Sequence, residues 1–285
     1  MKLTRRKLRN YLGNIVGIQA DMHVWWTPEL PLVYVSNPKA GCSTIKQSLK
    51  SAQANAYAQS GRSFDRAESP HADDACLRRK GLAASRCRDR HLFTCVRNPF
   101  ARALSGYLDK VENEDLSHYL ELRGLRPVSF EGFLRALAAY DPKNLDDHFR
   151  PQHINLNYPK VAYDAVFFLE NPAAIAGFLE QISPGFRLER FAPHARGAAE
   201  KLAAYYNSTT IELVRQIYEE DFDAFGYSRD LEDALLSPGA MIAEGRLVAD
   251  GEDAPRPPDP LRRSRDTKTL ENTLRARWLI ERRLI

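Results

Sequence analysis

The chain has 285 residues, of which 44% are hydrophobic, and a net charge of +4. This length and composition are sufficient for one folded domain with a full hydrophobic core. No segment approaches the roughly 18 consecutive apolar residues that a membrane-spanning helix requires. Residues 1–20 also lack the apolar stretch and cleavage site of a secretory signal. We therefore expect a cytoplasmic protein.

Positive charge is concentrated at the two ends of the chain. Residues 1–20 contain five Lys or Arg residues and no acid, and residues 255–285 contain nine Lys or Arg residues against four acids. The body between them is consequently net acidic. A nucleic-acid-binding protein is expected to group basic and stacking aromatic residues on one face, and the sequence shows no such pattern. We expect no nucleic-acid partner.

The cysteines do not form a metal-binding pattern. Cys42, Cys76, Cys87 and Cys95 include no Cys-x-x-Cys pair, which argues against structural zinc. Without an export signal, reduced thiols are expected.

A strand, a loop and the start of a helix follow one another in the first part of the chain. The β-branched run Leu32–Val35 predicts a strand that ends at Asn-Pro. Residues 38–44 then form a loop with the sequence Pro-Lys-Ala-Gly-Cys-Ser-Thr. Ile45, Leu49 and Ala52 follow at helical spacing, so a helix begins after the loop.

This loop has the chemistry of an anion-binding site. Backbone N–H groups and the positive end of the helix dipole meet there, together with the ammonium of Lys39 and the hydroxyls of Ser43 and Thr44. Gly41 allows the backbone to approach a ligand closely. In a nucleoside-triphosphatase loop, Lys comes directly after Gly, whereas here it precedes Gly. We expect the loop to bind a phosphate or sulfate-like group without ATP or GTP hydrolysis.

A second strand–helix junction follows at residue 97. The run His91–Val96 predicts a buried strand, Asn98 suits a helix N-cap, and Pro99 suits the first helical position. Ser105 lies about two turns along that helix. Alone, Arg97 and Ser105 would be a surface ion-pair partner and an ordinary helix residue. Together with the first loop, they favour a second phosphate site beside the helix.

A third strand–Asn–Pro run extends from Phe167 to Pro172, and helical stretches separate the three runs. The runs lack alternation, which is typical of strands that are covered on both faces. They predict a parallel α/β sheet. The carboxyl ends of its strands meet at one edge, where such sheets bind ligands. Lys39, Arg97 and Glu170 would lie at that edge.

Further helices and a long insertion complete the pattern. Residues 129–140 and 172–182 predict amphipathic helices, and Thr209–Glu212 predicts a capping box that opens a helix extending to Phe225. Residues 58–90 form a long polar excursion between the first two strands, a length that is more often functional than idle.

The regular pattern ends near residue 237, where a proline-rich linker begins. Beyond it, four apolar residues fall near one helical face amid arginines: Leu270, Leu274, Trp278 and Ile285. This basic C-terminal helix could fold back, form a homodimer or contact an anionic membrane surface peripherally. The expected division is a basic N-terminal segment at 1–29, a main domain at 30–237, and the linker with its C-terminal helix at 238–285.

The two anion motifs resemble those of the sulfotransferases that use 3′-phosphoadenosine 5′-phosphosulfate (PAPS). The 5′-phosphosulfate loop of that family resembles Pro38–Thr44, and its 3′-phosphate motif resembles Arg97–Tyr107. Three later stretches resemble the Golgi-type carbohydrate branch, sulfotransferase family 2, which includes chondroitin and HNK-1 sulfotransferases: Asp147–Gln152, Tyr163–Glu170 and Ile217–Tyr227.

This resemblance implies a P-loop-like, three-layer α/β fold with a central parallel sheet flanked by helices. It also implies PAPS as co-substrate, a carbohydrate hydroxyl as acceptor, and no metal. Lys39 is expected to act on the bridging oxygen and the 5′-phosphate, Ser43 and Thr44 on the 5′-phosphate, and Arg97 with Ser105 on the 3′-phosphate. The rest of the loop completes the donor site: Pro38, Ala40, Gly41 and Cys42.

A sulfotransferase of this kind also needs a base for the acceptor hydroxyl. His148 is the first candidate, because a histidine with a near-neutral pKa accepts a proton at cytoplasmic pH. Its alternative role is to order its own loop. Glu170 is the second candidate, and its alternative role is that of a strand-end carboxylate. The other histidines are expected to be structural or at the surface: His23, His71, His91, His118, His153 and His194.

Two other classes of function remain open at this stage. One is a Mg²⁺-dependent nucleotide or sugar kinase with an unusual loop; unlike a sulfotransferase, it would lose activity in EDTA. The other is an inactive relative that binds nucleotide or glycan. The presence of Lys39, Arg97, Ser105 and His148 argues against inactivity. The acceptor itself is not specified by the sequence, because variable loops such as 58–90 and 112–128 would form its pocket.

Overall fold

The computed structural model describes residues 22–63, 68–72, 74–77, 90–112, 128–189, 198–243 and 245–250, with residues 198–200 described at the backbone only. The basic N-terminal segment, the C-terminal helix expected beyond the linker, Cys87, His118 and His194 lie outside the described residues. None of the helices in the described part of the chain has the length and hydrophobicity to cross a lipid bilayer.

One six-stranded sheet forms the centre of the molecule, and its strands follow the chain order across the sheet. The middle three strands are parallel, with an antiparallel strand on one side and an antiparallel hairpin on the other. The predicted central parallel sheet is therefore confirmed. The strands are β1 His23–Trp26, β2 Leu32–Ser36, β3 His91–Val96, β4 Ala165–Phe168, β5 Met241–Ala243 and β6 Arg246–Val248.

Helices cover both faces of this sheet. The α-helices are α1 Cys42–Gln59, α2 Pro99–Gly106, α3 Phe130–Ala138, α4 Gln152–Leu156, α5 Pro172–Ile182, α6 Ala198–Tyr205, α7 Ser208–Ile217 and α8 Glu219–Phe225. A π-helical turn, Tyr107–Val111, continues α2 directly. Short 3₁₀ turns lie at Pro142–Asn144 and Leu231–Asp233.

The apolar side chains of the sheet divide between two cores. Every residue of β2, β3 and β4 is buried, which explains why their sequences show no polar alternation. Val33 and Val35 pack with residues of α2, α3, α7 and α8 on one face. Leu32 and Tyr34 pack with residues of α1 and α5 on the other. This sandwich confirms the three-layer α/β fold that the sequence predicts.

Several local predictions are also confirmed. The side chain of Asn98 accepts a hydrogen bond from the Phe100 amide, and Pro99 begins α2. α3 lies within the predicted range 129–140, and α5 occupies the predicted range 172–182.

The position predicted for the capping box near residue 209 is wrong. The N-cap is Asn207, which exchanges hydrogen bonds with Thr210, so the helix begins earlier than the Thr209–Glu212 pattern predicts. This helix does not reach Phe225, because it ends at Ile217 and α8 begins at Glu219. Between them Tyr218 is buried and donates its hydroxyl to the carbonyl of Phe149.

The sheet extends beyond both ends of the main domain expected at 30–237. β1 precedes residue 30, and the β5–β6 hairpin follows residue 237 and pairs with β4. The hairpin strands have three residues each, too few for a recognisable alternation, although Met241 and Val248 are buried. The folded body therefore includes residues 22–29, 238–243 and 245–250.

Asp221 connects α8 to the start of α4. Its buried carboxylate accepts hydrogen bonds from the amides of Gln152 and His153 and lies 2.7 Å from the His153 ring nitrogen Nδ1. α4 has no cap from its own N-cap residue, Pro151. Asp221 therefore supplies the cap that a helix start needs.

We predict that Asp221→Ala lowers the free energy of unfolding by about 3 kcal/mol, because it leaves two buried amides without an acceptor. Glu220→Ala is the matched control. Glu220 also contacts His153, at 2.9 Å, but its side chain is 78% exposed, so its loss should change stability by about 0.5 kcal/mol or less. Urea unfolding of both variants measures the difference. Equal losses in the two variants would contradict the capping role.

Candidate active site

The loops that follow β2, β3 and β4 meet at one edge of the sheet. The Arg97 guanidinium donates a hydrogen bond to the carbonyl of Lys39, with Nη1 and O 3.3 Å apart. Glu170 accepts a hydrogen bond from the Asn98 amide at 2.8 Å. The sequence prediction that Lys39, Arg97 and Glu170 converge is therefore confirmed.

The loop at 38–44 has an unusual backbone. Lys39 and Gly41 both have positive φ angles, of 67° and 73°. A left-handed conformation is uncommon for a residue other than glycine and is often found at functional sites. At Gly41 a Cβ atom would also lie 2.6 Å from Cδ1 of Leu169. Glycine is therefore favoured at position 41 because of its positive φ angle, and the side chain of Leu169 would have to move to admit a Cβ atom.

The helix after this loop begins without a cap. The N-cap residue of α1, Gly41, makes no side-chain capping hydrogen bond, and the first turn contains no acidic residue. Four other helices, α2, α3, α5 and α7, are capped by side chains: Asn98, Ser129, Asn171 and Asn207. The start of α1 thus offers backbone N–H groups and the positive end of its dipole to an anion.

Lys39 is paired with a carboxylate that sequence reasoning did not assign to the site. Its Nζ lies 3.0 Å from Oδ2 of Asp109, and the two side chains are only 12% and 8% exposed. Burial lowers the pKa of Lys39, while the charge and hydrogen bond of Asp109 oppose that shift. Asp109 lies on the π-helical turn that continues α2.

Ser43 contacts His71, which was expected only to be structural or at the surface. The His71 Nε2 atom lies 2.9 Å from Oγ of Ser43, and its Nδ1 lies 3.0 Å from Nζ of Lys46. An ammonium group only donates, so Nδ1 accepts and the ring proton is on Nε2. His71 then donates to Ser43, whose own hydroxyl proton remains available for an anion.

Lys50, on α1, binds the segment that contains His71 through hydrogen bonds and an ion pair. Its side chain is fully buried, donates to the carbonyls of Ser69 and Ala72, and forms an ion pair with Asp74 at 2.7 Å. Part of the long excursion at 58–90 therefore lies against the loop at 38–44. The buried lysine on the apolar face of α1 is the sequence signal that could have indicated this contact.

Gln152 holds the backbone of Arg97 through both ends of its amide. Its Oε1 accepts from the Arg97 N–H at 2.9 Å, and its Nε2 donates to the Arg97 carbonyl at 2.8 Å. The same Oε1 accepts from the side chain of Asn37, at the end of β2. Burial lowers the pKa of Arg97, and the charge of Glu170 opposes the shift, so the guanidinium remains a cation.

Arg102 connects the loop at 38–44 to the loop that contains His148. Its guanidinium is buried and donates to the carbonyl of Pro38 at 3.1 Å and to that of Asp147 at 3.0 Å. Ser105 lies partly exposed three residues later on α2. A Cβ atom at the next residue, Gly106, would lie 3.4 Å from the His148 carbonyl oxygen. The His148 loop is therefore adjacent to both proposed anion sites.

His148 is surrounded by carboxylates. Its Nδ1 lies 2.7 Å from Asp146 Oδ1 and 3.1 Å from Asp147 Oδ1, and the other oxygen of Asp147 lies 2.9 Å from Nε2 of His23. Burial alone would lower the pKa of His148, but the hydrogen bonds to Asp146 and Asp147 outweigh it and raise the pKa to about 9. The expectation of a near-neutral pKa is therefore wrong, and His23 is part of this cluster.

Glu170 has the hydrogen bonds expected of a structural carboxylate at the end of a strand, which is its alternative role. One carboxylate oxygen accepts from the Asn98 amide at 2.8 Å, and the other accepts from the Tyr227 hydroxyl at 2.9 Å. Burial raises the pKa of Glu170, and these hydrogen bonds oppose the shift. Since one oxygen holds the start of α2 and the other holds Tyr227, two residues after the end of α8, this carboxylate is better suited to structure than to proton transfer.

The residues that could hold a metal are the same ones that surround the histidine. Among the described residues, Asp146, Asp147 and His148 form the one group of three or more potential ligands within reach of a single ion, with ligand atoms within 4.8 Å of one another. These atoms already form hydrogen bonds and ion pairs within the cluster.

Comparison with known proteins gives the reaction class. A model of the sulfotransferase family matches residues 22–228, which include both anion loops and the His148 loop. The match spans more than half of the chain, so the chain belongs to this family. Neither the curated proteins nor the solved structures include a significant match to the chain.

We predict that Gln152→Ala weakens the binding of adenosine 3′,5′-bisphosphate by about tenfold, because Arg97 and Asn37 lose the amide that fixes them. Gln181→Ala, which removes an exposed glutamine of α5, is the matched control and should leave affinity unchanged. Titration calorimetry on both variants measures the effect. Unchanged affinity in Gln152→Ala would show that the clamp does not set the position of Arg97.

Proposed function

We propose that this sulfotransferase moves the sulfuryl group of PAPS to a hydroxyl group of a carbohydrate. The observation that supports the choice of donor is that Lys39 and Arg97 meet at one sheet edge, joined by the hydrogen bond from Arg97 to the Lys39 carbonyl, so that two cationic features lie together. A donor with a 5′-phosphosulfate and a separate 3′-phosphate matches two features, whereas a donor with one phosphate group would use only one.

In this proposal the 5′-phosphosulfate lies against the start of α1. The uncapped amides after Gly41, the ammonium of Lys39 and the hydroxyls of Ser43 and Thr44 would contact it. Pro38, Ala40 and Cys42 shape the rest of the loop. Arg97 and Ser105 would contact the 3′-phosphate beside α2.

The reaction forms a bond between the acceptor oxygen and sulfur and breaks the bond between sulfur and the bridging phosphate oxygen. The electron pair of the broken bond stays on the phosphate of adenosine 3′,5′-bisphosphate. Catalysis by Lys39 would consist of stabilising that developing charge in a site where water is largely excluded, which strengthens the interaction. The acceptor hydroxyl and the leaving oxygen lie on opposite sides of sulfur in such an in-line displacement.

The proton of the acceptor hydroxyl would go to His148. Asp146 and Asp147 orient the ring through Nδ1, which leaves Nε2 as the atom that accepts the proton. With a pKa of about 9, the ring is mostly protonated at neutral pH and must first lose that proton. The deprotonated fraction, and with it the rate, then rises with pH toward that value.

The carbohydrate acceptor rests on the resemblance of three segments to the carbohydrate branch, of which Asp147–Gln152 lies at the site. No comparable observation favours a Mg²⁺-dependent kinase. Among the described residues, Asp146, Asp147 and His148 lie close enough together to hold an ion. Because only the kinase would depend on Mg²⁺, a transfer assay in EDTA separates the two reactions.

We predict that the chain transfers label from radiolabelled PAPS to at least one member of a panel of polysaccharides and small glycosides, and that transfer persists in EDTA. Lys39→Ala should abolish transfer more than it weakens binding of adenosine 3′,5′-bisphosphate, and Arg97→Ala should mainly weaken that binding. Transfer to no carbohydrate, with transfer to a phenol or a peptide, would contradict the acceptor class. Loss of transfer in EDTA would contradict the metal-free mechanism.

We also predict that kcat/KM rises with pH on the acid side with an apparent pKa near 9, and that His148→Ala removes this limb and lowers kcat by about 100-fold or more. Asp146→Asn should move the limb to lower pH, since it removes a hydrogen bond that raises the pKa of His148. The pH–rate profiles of the three proteins test this. A limb that is the same in all three would exclude His148 as the base, and Glu170→Gln would then be examined.

A further inference from the structure

A carboxylate lies inside the proposed anion site. Asp109 contacts the ammonium of Lys39 at 3.0 Å, and both side chains are almost completely shielded from solvent. Like charges repel strongly where water is excluded. The Asp109 carboxylate would therefore repel a phosphate bound at Lys39 and weaken its binding. Such a group is unexpected in a site that binds an anionic donor.

The position of Asp109 connects it to the second anion feature. It lies on the π-helical turn Tyr107–Val111, which follows α2 without a break, and it comes four residues after Ser105. Single π-helical turns within helices frequently occur at functional sites. The same continuous helical segment thus carries a proposed 3′-phosphate contact and the partner of the lysine that would contact the 5′-phosphosulfate.

The ion pair with Asp109 also keeps the buried Lys39 protonated, as binding of an anion requires. Asp109 favours the protonated ammonium of Lys39, and Arg97 opposes it. Lys110 lies 3.5 Å from the same oxygen of Asp109 that contacts Lys39. A buried lysine without a counterion tends to lose its proton. Asp109 therefore compensates for burial as long as no phosphate is present.

We propose that Asp109 is a positioning residue that holds Lys39 within the donor site and is replaced as its partner by the donor phosphate. Binding of the donor exchanges one ion pair for another, and departure of the bisphosphate restores the first. Before the donor binds, the ion pair with Asp109 keeps Lys39 charged and oriented. Because this pair must be broken, the affinity for the nucleotide is lower. This inference rests on the proposed function, because it takes the donor to be PAPS.

Replacement of the carboxylate should therefore strengthen nucleotide binding. We expect Asp109→Asn to bind adenosine 3′,5′-bisphosphate about threefold to tenfold more tightly than the wild type, because no ion pair has to be broken. The kcat of the variant should fall, since the product leaves more slowly and Lys39 is no longer oriented. A residue with a merely structural role would instead lose both affinity and kcat.

The control must account for the change in net charge. Glu112→Gln removes the same charge from an exposed side chain just after the π-helical turn, and it should change affinity by less than about twofold. Asp109→Ser provides a second variant without the carboxylate, should Asp109→Asn fold poorly. In a Lys39→Met background, Asp109→Asn should have only the small effect of Glu112→Gln.

Titration calorimetry with adenosine 3′,5′-bisphosphate, together with steady-state kinetics, decides the matter. Tighter binding in the Asp109 variants with lower kcat, and loss of the effect when Lys39 is replaced, supports the exchange. Unchanged or weaker binding in those variants, while the wild type binds, overturns the inference alone. If the wild type does not bind the bisphosphate, the proposed donor is wrong and the inference fails with it.

Discussion

The amide of Gln152 connects the two loops on which the active site depends. It binds both the N–H and the carbonyl of Arg97 and also the side chain of Asn37, which in turn donates to the carbonyl of Cys95. The ends of β2 and β3 are thereby held in one arrangement. Since Asp221 caps the helix that begins with Gln152, a buried carboxylate on α8 indirectly positions the two loops of the proposed anion site.

The electrostatics of the site follow from placing many charges where water has little access. Lys39 and Arg97 both have lowered pKa values because of burial, and the opposing charges come from Asp109 and Glu170. The positive charges of Lys39 and Arg97 are thus already compensated by nearby carboxylates before a ligand binds. In the proposed exchange, donor binding replaces Asp109 with a phosphate as the partner of Lys39.

Local sequence signals predicted much of the fold. The three buried strands, the cap at Asn98 and the range of α5 were predictable because each depends on residues that are neighbours in the chain. The convergence of the two loops at the sheet edge was also predictable, because the parallel strands of an open α/β sheet have their carboxyl ends at the same edge. The β5–β6 hairpin was missed because its strands are too short to show a pattern.

The site residues that were missed act over long separations in the chain. Asp109 is 70 residues from Lys39, Gln152 is 55 residues from Arg97, and His71 is 28 residues from Ser43. Nothing in the local sequence indicates the contacts of Asp109 and Gln152, whereas the lysine at position 50 on the apolar face of α1 is a signal for the segment that carries His71. The high pKa of His148 is different, because Asp146 and Asp147 are its immediate neighbours. Two carboxylates beside a histidine are a signal that could have been used.

A crystal structure of the chain with adenosine 3′,5′-bisphosphate would test the central claim most directly. We expect the 5′-phosphate to lie within hydrogen-bonding distance of the first amides of α1 and of Lys39, and the 3′-phosphate to contact Arg97 and Ser105. In that complex Lys39 contacts the nucleotide instead of Asp109. A nucleotide that lies elsewhere, or whose 3′-phosphate contacts neither Arg97 nor Ser105, would contradict it.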